Sequence, residues 1–133
     1  MTALYHSHSG LRFLVLLAAV VVIAYSAFGL ATKRPFDKVG RILGSIFIGL
    51  LDLQILLGLS MVAMGFWYPA LAGHLSMMLV AAAVAHVVLA KNRKREKPTW
   101  TAPLVGVSAS LVLIVLGILA INRGVFSMSM GGG

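Results

Sequence analysis

The sequence predicts an all-α integral membrane protein, a four-helix bundle with both termini on the outer side of the membrane. Three observations carry that expectation. Of 133 residues, 60% are apolar and only 11% charged, where a soluble domain carries about a quarter of its residues as charges. Four stretches are almost free of charge and long enough to cross a bilayer core of about 30 Å, which takes roughly 20 helical residues. Nine of the eleven Lys and Arg residues fall in two short segments, 33–41 and 91–97. The whole chain, 1–133, reads as one transmembrane domain with helices near 9–31, 40–65, 71–91 and 101–122.

The first helix rests on the apolar run 13–32. Its core, 13–23, followed by Ala24-Tyr25-Ser26, has some likeness to a signal peptide. No basic residue except Arg12 precedes it, so the span is expected to stay in the protein. The loop 32–41 holds Pro35 among charged residues and ends that helix. The second and third spans come from 42–73, in which Asp52 is the only charge, and 70–90. Pro69 and Gly73 supply the break between them. The loop 91–98 is the more basic of the two and suits contact with anionic lipid headgroups. Pro98 and Pro103 sit near the start of the fourth helix, where early backbone donors lack intrahelical partners anyway.

The net charge of +8 is explained by the positive-inside rule, which places loops 32–41 and 91–98 in the cytoplasm. Nucleic acid is not expected as a partner, because no basic face with interleaved aromatics exists. Membrane lipids are. Cysteine is absent, which excludes disulfides, thiolate metal sites and covalent c-type haem attachment. An independent enzyme is not expected, since no nucleophile–base arrangement, phosphate loop or carboxylate pair is present.

The topology decides which polar groups meet. His8 and His74 begin the first and third spans at the same outer depth, on helices running in one direction. Facing imidazoles in a bundle core can hold a haem iron or another metal. Arg12 follows His8 by four residues on the same helical face and suits a haem propionate. Deeper in the membrane, Asp52 lies about twelve residues, or roughly 18 Å, inward from the end of the second helix. His86 lies twelve residues inward from His74. An Asp52–His86 pair with Gln54 close by would satisfy the buried carboxylate and mark a proton or quinone site. Twelve residues turn a helix by about 120°, so His86 does not face the pocket that His74 faces.

Small residues at Gly40 and Gly44, at Gly106 and Ser110, and in the alanine-rich stretch Ala81, Ala82, Ala83 and Ala85 permit close helix approach. The seven methionines gather toward the outer side. His6 and His8 with Met128 and Met130 offer a soft donor set for copper, the alternative to haem. Methionine also fills gaps around large ligands.

His8-Ser9-Gly10-Leu11-Arg12, Leu53-Gln54-Ile55-Leu56-Leu57-Gly58-Leu59 and Gly73-His74-Leu75-Ser76-Met77-Met78-Leu79 resemble motifs of small four-span bacterial membrane proteins described as cytochrome b-like. The resemblance covers the first three helices and fades in the fourth. It implies His8, Arg12, Gln54 and His74 as the site residues, and the bacterial inner membrane as the location. Gly73 stands where relatives often carry Glu. The leading expectation is a b-type haem held by His8 and His74 in a protein that carries electrons. Further alternatives are a homo-oligomer, or a cofactor-free accessory subunit of a larger respiratory or photosynthetic complex.

Overall fold

The computed structural model describes residues 2–121 and contains four α-helices: α1 (Thr2–Ala31), α2 (Lys38–Ala63), α3 (Ala70–Arg93) and α4 (Thr101–Ala120). All four are long and apolar enough to cross a membrane, which is compatible with a multi-pass membrane protein. Each helix packs on its two ring neighbours, α1 on α2 and α4, and α3 on α2 and α4. That arrangement sets α1 and α3 on one diagonal of the bundle and α2 and α4 on the other. The start of α1, the α2–α3 turn and the end of α4 share one end of the bundle, called here the turn end. The two basic loops share the other, basic end.

α1 starts seven residues earlier than the apolar run suggested. No Pro interrupts residues 2–12, so the helix continues through His6 and His8. α2 stops at Ala63 with a glycine cap. Gly65 takes φ of 96°, its N–H bonds to Val62 O, and the Phe66 N–H bonds to Met61 O. This paired pattern ties off the last carbonyls of a helix and suits a residue without Cβ. α1 ends the same way, with Lys33 N–H on Leu30 O and Arg34 N–H on Gly29 O. There the left-handed position is held by Lys33 at φ 57°.

Small side chains set the helix spacing. Ala81 and Ala85 are fully buried, and Ser110 donates from α4 to the Ala81 carbonyl at 2.9 Å. A Cβ on Gly106 would strike Val88. α3 consequently packs most extensively on α4, and least on α2. Close approach of this kind drives helix association in lipid, where burying apolar area adds little. The outward surface is aliphatic, with Leu14, Leu17, Leu53, Leu56, Val105 and Val112 exposed.

Trp100 closes the basic end. Its indole lies against Gly29 of α1 and Gly40 of α2, where a Cβ on either residue would overlap the ring. Nε1–H donates to Arg34 O at 2.7 Å, and Tyr25 and Phe36 meet the ring edge-on. Asp37 caps α2 by accepting from Gly40 N at 2.9 Å, and its other oxygen accepts from Tyr25 OH at 2.8 Å. Asn92 brackets the backbone of Thr99, accepting from its N–H at 2.9 Å and donating to its carbonyl at 3.0 Å. These bonds fix the short α3–α4 connection.

Candidate functional site: a cavity between the histidines of two diagonal helices

The turn end contains a cavity with an empty volume of about 970 Å³, its open mouth included. All four helices line it. His8 and Arg12 reach it from α1, Gln54 and Gly58 from α2, His74 and Met78 from α3, and Ile114 and Ile118 from α4. Most of the lining is aliphatic or aromatic. Tyr5, Phe66 and Tyr68 contribute rings at the same end, with successive centroids 5.9 Å apart.

The two imidazoles enter from diagonally opposite helices, and each rests on a glycine. His74 Nδ1 lies 2.8 Å from Gly117 O. A carbonyl only accepts, so Nδ1 carries a proton. Metal-binding histidines are oriented in this way, one nitrogen held by the protein and the other turned to the ion. A Cβ on Gly117 would crowd both Met77 and Met78 and stand 3.6 Å from His74 Nδ1. The absent side chain at residue 117 therefore makes room chiefly for Met78, whereas the His74 ring would be in ordinary contact. On the other side, a Cβ on Gly58 would stand 3.1 Å from His8 Cε1, so the His8 ring leans into a gap in α2.

Arg12 lies one turn beyond His8, as the i, i+4 spacing predicts. It is buried at 6% exposure, with its guanidinium 4.8 Å from the Phe13 ring centroid. Gln54 Nε2 donates to the His8 carbonyl at 2.7 Å, pinning α2 to α1 beside the first imidazole. Gln54 Oε1 is buried and has no hydrogen-bond partner. Among the described residues, no carboxylate lines the cavity.

Two expectations change. Gln54 does not join Asp52 and His86. Two residues along a helix differ by about 200°, so Gln54 points into the cavity while Asp52 points away. His6 and His8 part for the same reason. His6 is exposed on α1, its ring edge-on to Tyr5 at 6.0 Å, and it does not line the cavity. A shared His6–His8 copper site is not what this helix presents, and Met128 and Met130 lie outside the described residues. The methionines of α2 and α3 do gather toward the turn end, with unequal burial. Met61 and Met78 are buried in the cavity wall, whereas Met64 is 60% exposed. Among the described residues, no group of three or more His, Cys, Asp or Glu side chains converges to hold a metal ion. A bis-imidazole haem takes only two such ligands, so that finding does not bear on it.

Asp52 and His86 do pair. His86 Nε2 lies 2.9 Å from both Asp52 oxygens. The pair sits on the outer surface of the α2–α3 seam, the side chains 50% and 48% exposed for His86 and Asp52. It is separate from the cavity, as the helical rotation from His74 predicts.

The sequence reading missed Gly117 entirely and gave Gly58 no role. A GxxxG-type search would not have found either, because each glycine serves a ring on another helix. No family model, curated protein or solved structure matches this chain.

Proposed function

We propose that this chain is an electron-carrying membrane protein that holds one b-type haem in the turn-end cavity, with His8 and His74 as axial ligands. The proposal includes the bacterial inner membrane as its location, with the two basic loops cytoplasmic and the turn end outside, by the positive-inside rule. The observation that carries it is the placement of two imidazoles on diagonal helices in one apolar cavity, with His74 Nδ1 hydrogen-bonded to Gly117 O.

The residues present fit the group. Gly58 leaves room for the His8 ring, and the Gly117 carbonyl holds the His74 ring. Its lining offers a guanidinium and no carboxylate among the described residues, which suits the anionic propionates. Bound there, the haem would supply a reversible one-electron couple, and two imidazoles would favour electron transfer over oxygen binding.

The chain's own contributions are positional. The Gly117 carbonyl fixes the His74 tautomer and adds electron density to its ring. Gln54 locks the backbone that carries His8. The aliphatic walls would keep water away from a haem bound there, which would supply the one-electron chemistry. The test is an absorption spectrum of the purified protein, oxidised and reduced. A sharp reduced α-band that disappears in His74→Ala supports the proposal, and a colourless wild-type protein prepared with haem supplied ends it.

A further inference from the structure

Among the described residues, the Asp52–His86 pair lies within the apolar spans and outside the cavity. Asp52 is fourteen residues from the start of α2 and eleven from its end, about 21 Å and 16 Å along the axis. It therefore stands near the middle of a membrane-spanning helix, about half exposed. Around it the outward surface is aliphatic, with Ile46, Leu53, Leu56 and Val87 exposed. An ionisable group facing acyl chains at that depth is costly and marks a functional surface by default.

A second observation lies beside it. Ser45, Gly49 and Asp52 follow one another at spacings of four and three, so they form one ridge of α2, and all three are exposed. A Cβ on Gly49 would meet nothing within 4 Å, whereas Gly40, Gly44 and Gly58 of the same helix each face a neighbouring side chain. Glycine weakens a helix interior by roughly 0.5–1 kcal/mol relative to alanine. Gly49 carries that cost with no close packing inside the bundle. α2 is also the least covered span, with 22% of its apolar window buried.

We propose that this face joins two copies of the chain, α2 of one copy packing on α2 of the other along the Ser45–Gly49 ridge. Small residues at i and i+4 let two helix backbones approach in lipid, and polar side chains beside them hold the contact. A two-fold interface requires a surface complementary to itself. The pair supplies one. Bonded through Nε2, the imidazole still has Nδ1 for a further hydrogen bond, and the carboxylate still has lone pairs to accept. Each pair can thus complete the hydrogen bonds of its symmetry mate and leave the acyl phase. A small lipid-soluble ligand such as a quinone would also bond to Asp52 and His86, but it would have no use for a bare glycine ridge. The inference rests on the membrane-spanning reading and not on the haem.

The chain has no cysteine, so single-cysteine variants report cleanly. Full-length protein in phospholipid vesicles is crosslinked with a short bifunctional maleimide after Ser45→Cys or Val112→Cys, the latter on the diagonally opposite α4. Ser45→Cys is expected to give a crosslinked dimer and Val112→Cys none. Gly49→Leu, placed on an exposed site that leaves the bundle intact, is expected to weaken self-association roughly tenfold by single-molecule photobleaching. Asp52→Asn should weaken it in the same direction. Equal crosslinking at both positions overturns the proposal, as does a Gly49→Leu variant that associates like the wild type. A wild-type chain that stays monomeric at every protein-to-lipid ratio also overturns it. If that monomer binds decylubiquinone and loses it in His86→Ala, the pair belongs to a quinone. Haem content measured in the same vesicles separates this outcome from the fate of the cavity proposal.

Discussion

Replacing Gly58 with alanine adds one methyl group to α2 and aims it at an imidazole on α1. The new Cβ would stand 3.1 Å from His8 Cε1, 3.7 Å from Nε2 and 3.8 Å from Nδ1. Carbon–carbon contacts settle at about 3.5–4.0 Å, so the ring must withdraw by about 0.4 Å or more at Cε1. The backbone beneath it has little freedom, since Tyr5, Ser9 and Arg12 are buried on either side and Gln54 holds the His8 carbonyl. Strain therefore falls on the ring. A forced extra methyl in a packed site costs about 1–3 kcal/mol, which corresponds to roughly five- to 150-fold weaker haem binding if the ligand geometry absorbs it. The assay is a haem titration of apoprotein in lipid nanodiscs, followed at the Soret band. Gly73→Ala is the control, because it adds the same methyl next to His74 where nothing lies within 4 Å. Wild-type affinity in Gly58→Ala would refute the reasoning. Equal losses in both variants would show that the effect is not transmitted through the His8 ring.

Other consequences concern the basic end. Gly29→Ala puts a Cβ into overlap with three atoms of the rigid Trp100 indole. It should lower stability by about 1–3 kcal/mol in thermal melts, while the haem spectrum of the folded fraction stays unchanged. Lys33→Gly relieves a left-handed backbone at φ 57° and should stabilise the fold by about 1 kcal/mol, read as a higher midpoint. Asp37 should make the basic end acid-sensitive. The Gly40 N–H bond holds its carboxyl below the usual 3.8, aided by Tyr25 and Arg34 and opposed by partial desolvation. A depressed folded pKa gives stability that is complete above the usual value and lost as pH falls through the lower, folded one. Asp37→Asn should remove that loss from melts recorded below about pH 4.

The spans were legible because a bilayer imposes a length and a composition, and the four apolar runs satisfy both. The Asp52–His86 pair followed from counting residues inward on two antiparallel helices, and the shared face of His8 and Arg12 from a spacing of four. The start of α1 was not legible. Residues 2–8 are mixed in polarity, and nothing in them signals a helix boundary or forbids one. Counting depth without rotation about α2 put Gln54 beside Asp52 and His86, whereas the resemblance had grouped it with His8 and His74, whose cavity it lines. Gly58, Gly117 and Trp100 act across helices, so their roles depend on how each helix is turned toward its neighbours. That rotation is set by packing and is written in no local pattern. Gly117 is the clearest case, a small residue in the fourth helix whose carbonyl orients a histidine 43 positions away.

The central claim is that imidazoles from α1 and α3 bracket one iron. Low-temperature electron paramagnetic resonance of the oxidised, haem-loaded protein reads it most directly. The wild type should give a low-spin, six-coordinate signal, and His8→Ala and His74→Ala should each convert it to high spin. A low-spin signal that survives either substitution would contradict the assignment, and so would a wild-type protein that takes up no haem.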